Sequence, residues 1–194
     1  MDRRTKIAAV AAALLITAGA AGSATASGYG KGGVREATAS GDGKGGVREA
    51  AALTGTAKLY RPAGDDITFS FDAHLAAKDR NDPLAATGTF RYSHYKGDWG
   101  GTAEVKVDCL ATGGEVATVT GIVTATDVPG LLHKRVGVSV YDNGRHDRLG
   151  YSWLASDPTK DEVPPCNSAA PYERVRAGTG DFTVLPWQFT YPAE

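Results

Sequence analysis

From Thr102 to Leu110 the chain alternates, with Ala103, Val105, Val107 and Cys109 in one phase and Glu104, Lys106 and Asp108 in the other. Successive side chains of a strand point to opposite faces, so this segment predicts a half-buried strand with Cys109 turned inward beside the valines. Asp66 to Leu75 repeats the pattern, Ile67, Phe69, Phe71 and Leu75 opposing Thr68, Ser70, Asp72 and His74. Val136, Val138 and Val140 give a third example. Further strands are expected at Leu53 to Tyr60, Thr87 to Tyr95, Glu115 to Ala125, Leu149 to Leu154, Phe182 to Val184 and Trp187 to Tyr191.

The gaps between these runs are mostly short and rich in turn residues, as in Arg61-Pro62-Ala63-Gly64-Asp65 and Ala111-Thr112-Gly113-Gly114. Short gaps join antiparallel neighbours, whereas parallel strands need crossovers of about a dozen residues or more. No apolar stripe of helical period follows the N-terminal segment. The pattern therefore predicts an all-β antiparallel domain of about eight or nine strands, either a single β-barrel or a two-sheet β-sandwich. Two gaps are longer, Asp127 to Arg135 and Ser156 to Thr179. The second holds Pro158, Pro164, Pro165, Cys166 and Pro171 and predicts an irregular excursion.

The alternation begins near Ala52, and what precedes it is of two kinds. Arg3, Arg4 and Lys6 lead into an apolar run from Ile7 to Ala21, followed by Ala24-Thr25-Ala26. This is the pattern of a secretory signal peptide cleaved after Ala26, and the run is shorter than the roughly 20 residues of a spanning helix. Residues 27–51 contain GKGGVREA twice, at Gly30–Ala37 and Gly43–Ala50, a tandem duplication of 13 residues. Neither copy has the Ser or Thr after Gly-Lys that a phosphate-binding loop needs, and neither follows an apolar strand. With Tyr29, Val34 and Val47 as its large apolar residues, the segment reads as a flexible Gly-rich linker. The expected organisation is a signal peptide at 1–26, a linker at 27–51 and an all-β domain at 52–194, secreted with no membrane anchor.

Export changes the reading of the cysteines and of the charge. Cys109 and Cys166 are the two cysteines of the chain, and an even count in an exported protein predicts a disulfide. In the chain-entropy model so long a loop is worth roughly 4 kcal/mol. Removing residues 1–26 takes three basic residues and one acidic from totals of 21 and 22, which leaves 18 and 21 and a net charge of −3. No long basic run supplies the counterion-release affinity of a nucleic-acid binder, so nucleic acid is not an expected partner.

Three groups of residues could carry chemistry. Asp142-Asn143-Gly144-Arg145-His146-Asp147-Arg148 is the densest polar cluster. Asn-Gly is a favoured two-residue hairpin turn, which would make the charges a solvated tip. Alternatively His146 is a general base oriented by Asp142 or Asp147. Tyr92, Tyr95, Asp98 and Trp99 have the composition of a binding platform for a glycan or small molecule, although strand aromatics are mainly core. His74, His94 and His133 are scattered without metal-ligand spacing, and His94 follows Phe90 and Tyr92 in phase. Gly150-Tyr151-Ser152-Trp153-Leu154 lacks the last glycine of a hydrolase nucleophile elbow. Neither a metal nor a cofactor is expected.

LTGTAKLYRPAGDDITFSFDAH at Leu53 to His74, ATGTFRYSHY at Ala86 to Tyr95, VDCLATGG at Val107 to Gly114, VSVYDNGRHDRLGYSW at Val138 to Trp153 and GTGDFTVLP at Gly178 to Pro186 resemble segments of small exported actinobacterial, Streptomyces-type, β-proteins of unknown function, some labelled "repetin". The resemblance spans most of the body and implies export from a Gram-positive cell; it implies no activity or site residue. The leading expectation is a non-catalytic, monomeric extracellular binding module for a small molecule, glycan or protein. The alternatives are a secreted hydrolase or lyase using His146 with a carboxylate, and a secreted protease inhibitor with the excursion around Cys166 as its reactive loop.

Overall fold

The computed structural model describes residues 48–189. The expected signal peptide and the linker before Arg48 lie outside them. Nine strands form one antiparallel sheet: β1 (Glu49–Lys58), β2 (Asp66–Ala76), β3 (Thr87–Lys96), β4 (Trp99–Gly113), β5 (Val116–Thr126), β6 (Arg135–Tyr141), β7 (Arg148–Tyr151), β8 (Glu173–Arg174) and β9 (Asp181–Leu185). Their order is β8-β7-β6-β5-β4-β3-β2-β1-β9. The first eight form a meander, as the short gaps predict, and β9 returns to pair with β1.

The sheet curls until its ends meet. Val175, just past β8, bridges Leu59, just past β1. Tyr60 N–H donates to Arg174 O and Arg176 N–H to Lys58 O, both at 2.8 Å. A curl of about eight strands is narrow enough for side chains to fill. Here Leu53, Phe69, Phe71, Phe90, Val105, Leu110, Val119, Val138, Leu149 and Phe182 do so. The single curled sheet, rather than two stacked sheets, is the arrangement formed.

Two irregularities re-aim side chains. Register shifts in the β4–β5 pair lie between Glu104 and Val105 and between Val107 and Cys109. After the second, Leu110 pairs with Val119 in the core while Cys109 pairs with Thr120 on the outer face. Cys109 is therefore buried but does not point inward with Val105 and Val107. An extra residue in one strand of a pair switches the phase of everything beyond it.

Cys109 is buried because the excursion after β7 lies over it. The Cys109–Cys166 disulfide spans 57 residues with a Cα–Cα distance of 5.3 Å. Around it Asp108 accepts from Thr120 Oγ1 and Arg135 Nε, both at 2.6 Å, and Thr120 Oγ1 accepts from Cys166 N–H at 3.1 Å. Ser139 Oγ donates to Ser168 O at 3.2 Å. The outer residues under this segment are small: Gly137, Ser139 and Gly150. A Cβ on Gly137 would collide with Asn167 O, and one on Gly150 would sit 3.0 Å from Ala170 O and Pro171 O. β6 is thus buried on both faces.

The strand ends differ from the sequence pattern in three places. β1 starts at Glu49, inside the span read as linker, because Ala51 is core and Glu49 pairs with His74 at 2.7 Å. β7 stops at Tyr151, where a 3-10 turn over Ser152–Leu154 carries Trp153 into the aromatic cluster of Phe69, Tyr92 and Tyr151. Trp187 to Phe189, expected in a strand, is irregular after Pro186, and Trp187 N–H donates to Thr112 Oγ1 instead of a ladder partner.

Candidate functional site

The polar turn between β6 and β7 does not form the two-residue Asn-Gly hairpin. Asn143 has φ −118° and a 3-10 turn covers Gly144–His146. Two carboxylates organise it. Asp147 accepts from Asn143 N–H at 2.9 Å and from Phe182 N–H at 2.8 Å; Asp142 accepts from Gly144 N–H at 3.2 Å and from Val184 N–H at 3.0 Å. Phe182 and Val184 are the β9 residues whose N–H groups face away from β1, so Asp142 and Asp147 supply the acceptors that a tenth strand would have offered. Asp147 is 2% exposed, and burial, with Asp181 alongside, raises its pKa above the usual carboxylate value. His146 is exposed, and its ring has no hydrogen-bond partner among the described residues. His146 and Asp147 line one pocket with Arg148, Arg174 and Val175, with no hydrogen bond between them.

The aromatic candidates are divided by the phase of β3. Tyr92 shares the phase of Phe90, is 8% exposed and stacks on Trp153 at 4.3 Å, so it is core and not part of a surface platform. Burial raises its phenol pKa. Trp99 pairs with Lys96 on the inner phase, stands at the hairpin tip at 72% exposure and meets the His94 ring edge-on at 6.0 Å. Asp98 is exposed in the turn itself. Tyr95 belongs to the outer phase, 37% exposed, and a Cβ on its partner Gly100 would lie 2.6 Å from the Tyr95 ring. The missing side chain lets Tyr95 lie across Gly100.

Beneath Trp99 the mouth of the curl is closed by charges that the sequence pattern did not bring together. Arg61 pairs with Glu173 at 2.8 Å and donates to Tyr151 Oη, and His94 Nε2 meets Asp65 at 3.1 Å. Burial raises the Glu173 pKa against the pull of Arg61, while the His94 hydrogen bond lowers that of Asp65. These pairs join the β1–β2 turn to β3 and β8.

A groove of about 490 Å³ crosses the outer face of β2 to β5. Thr68, Ser70, Ser93 and Thr102 contribute hydroxyls, and Arg91, Glu104 and Asp127 contribute charge. Arg91 Nε and Nη2 both reach Glu104 Oε2 at 2.8 Å, leaving Nη1 and Oε1 open. Asp127 Oδ1 accepts from Thr102 N–H at 2.6 Å, leaving Oδ2 open. Tyr95 is the next outward residue of β3 after Ser93, beyond the groove's lining residues. No family model, curated protein or solved structure matches this chain.

Proposed function

We propose that this chain is a secreted, non-catalytic binding module that takes a neutral glycan in the groove between β2 and β5, with a sugar ring on Tyr95. The observation that carries the reading is the set of open polar atoms in that groove: the Ser93 and Thr102 hydroxyls, Arg91 Nη1, Glu104 Oε1 and Asp127 Oδ2. Vicinal sugar hydroxyls donate to a carboxylate and accept from a guanidinium, while an aromatic face covers the apolar side of the ring. The groove's volume lies within the roughly 300–1,000 Å³ of small-ligand sites. Arg91 and Glu104 neutralise each other, and a net charge of −3 on the expected mature chain disfavours a polyanion.

A hydrolytic reading has less support, because Asp142 and Asp147 accept from β9 N–H groups and His146, though it lines a pocket with Asp147, is hydrogen-bonded to neither. An inhibitory loop should project, whereas Asn167 to Pro171 lies against β6 and β7. Affinity electrophoresis through gels containing laminarin, xylan, glucomannan or dextran tests the proposal. At least one polysaccharide should retard the chain, and Tyr95→Ala and Arg91→Ala should each abolish the retardation; unaltered mobility in all four gels would reject it.

A further inference from the structure

The end of the sheet opposite the β3–β4 hairpin holds a second cavity, of about 260 Å³, lined by Ala51, Leu75, Arg80, Pro83, Leu110 and Trp187. Ala51, Leu75 and Leu110 are core side chains, so its floor is apolar. The walls are cross-locked. Trp187 Nε1–H donates to Arg80 O at 2.7 Å, Arg80 Nη2 donates to Gln188 O at 2.9 Å, and Trp187 N–H donates to Thr112 Oγ1 at 2.8 Å. The site thus needs little ordering when a ligand enters, which lowers the cost of binding.

Among the described residues Arg80 is the one cation lining this cavity, and no carboxylate pairs with it. Arg61 and Arg135 have carboxylate partners in Glu173 and Asp108, but Arg80 forms no salt bridge among the described residues. Its acidic neighbour Asp79 is paired with Lys78 at 2.6 Å. A guanidinium offers five N–H groups in a planar fork, and here one is used, on a neutral carbonyl. A partly buried fork above an apolar floor selects a carboxylate with an apolar body, because such charge-assisted bidentate bonds are roughly twice as strong as neutral ones. At about 260 Å³ the cavity lies just below the roughly 300–1,000 Å³ of drug-sized ligand sites, so it suits a ligand smaller than those. A dianion would leave its second charge over Leu75 and Leu110.

We infer that this cavity is a binding site for a small apolar monocarboxylate, of the size of benzoate or hexanoate, held by Arg80 over the end of the core. It is independent of the glycan groove, which lies at the other end of the strands.

The test is a titration of the full ¹⁵N-labelled chain with sodium benzoate at constant ionic strength, with benzamide as the uncharged isostere. The Trp187 indole N–H signal, assigned through Trp187→Phe, is followed. Benzoate should give a saturable shift of that signal, and benzamide should bind at least tenfold more weakly. Arg80→Gln should weaken benzoate at least tenfold and leave benzamide unchanged. Ala111→Phe, at an exposed position lining the cavity, should abolish both, with an unchanged remaining spectrum reporting an intact fold. Equal affinity for benzoate and benzamide, an unaltered Arg80→Gln titration, or no saturable shift would each overturn the inference.

Discussion

One sheet presents two different outer faces. At the centre of β5 to β7 the outward residues Thr120, Gly137, Ser139 and Gly150 are buried beneath the segment tied down by Cys166. Over β1 to β4, away from Cys109, the outward residues Thr56, Thr68, Ser70, Arg91, Ser93, Thr102 and Glu104 are half-buried or exposed. The inner phase is apolar in both halves, with Phe69, Phe71, Phe90, Val105 and Val107 in one and Val119, Val123, Val138, Val140 and Leu149 in the other. What differs is the size and polarity of alternate residues. Gly and Ser let a second layer of backbone approach, whereas longer polar side chains keep the face wet and available to a ligand. The covered half spends its outer face on stability, and the bare half leaves its own open.

Removing the clamp should break this contrast most strongly. Cys109→Ala with Cys166→Ala should lower unfolding free energy by roughly 4 kcal/mol in chemical denaturation, and the β6 amides should lose hydrogen-exchange protection ahead of those of β3. The two halves also join at the turn bearing Asp147. Asp147→Ala strands the N–H groups of Asn143 and Phe182 and should cost about 2–4 kcal/mol, while Asp147→Asn, which keeps one acceptor, should cost about half as much. Gly137→Ala pushes a methyl group into Asn167 O and should cost about 1–3 kcal/mol, measured by the same denaturation.

A smaller effect belongs to the bare half. His74 lies between Asp72 and Glu49, at 2.8 Å and 2.7 Å, and the two carboxylates raise its pKa above 6.5. A raised histidine contributes stability that is complete below pH 6.5 and is lost as pH climbs through the folded-state value. His74→Gln should therefore flatten the fall in melting temperature above pH 6.5. The pair is solvent-screened, so the difference should stay under about 1 kcal/mol.

Much of the fold is legible along the chain because it is local. The alternation at Asp66 to Leu75 and the short turns specify strands and their antiparallel neighbours with no knowledge of distant residues. What escapes such a reading depends on returns of the chain. The shift after Val107 moves Cys109 to the outer face, and alternation alone carries no sign of it. Asp142 and Asp147 look like partners for His146 until β9, 35 residues beyond Asp147, docks its N–H groups on them. Tyr92 could have been placed in the core from its phase with Phe90. The groove draws Thr68, Arg91, Thr102 and Asp127 from three strands and the turn after β5, and Trp187 meets Arg80 across 107 residues. No linear motif can announce either site.

The most direct test of the divided outer face is a matched pair, Ser139→Lys and Ser93→Lys, each followed by chemical denaturation and by electrophoresis through the retarding polysaccharide. Ser139→Lys, beneath the clamped segment, should cost more than about 2 kcal/mol and leave any folded protein still retarded. Ser93→Lys should change stability by less than about 0.5 kcal/mol and abolish the retardation. Equal destabilisation by the two, or retardation lost through Ser139 and kept with lysine at position 93, would contradict the account.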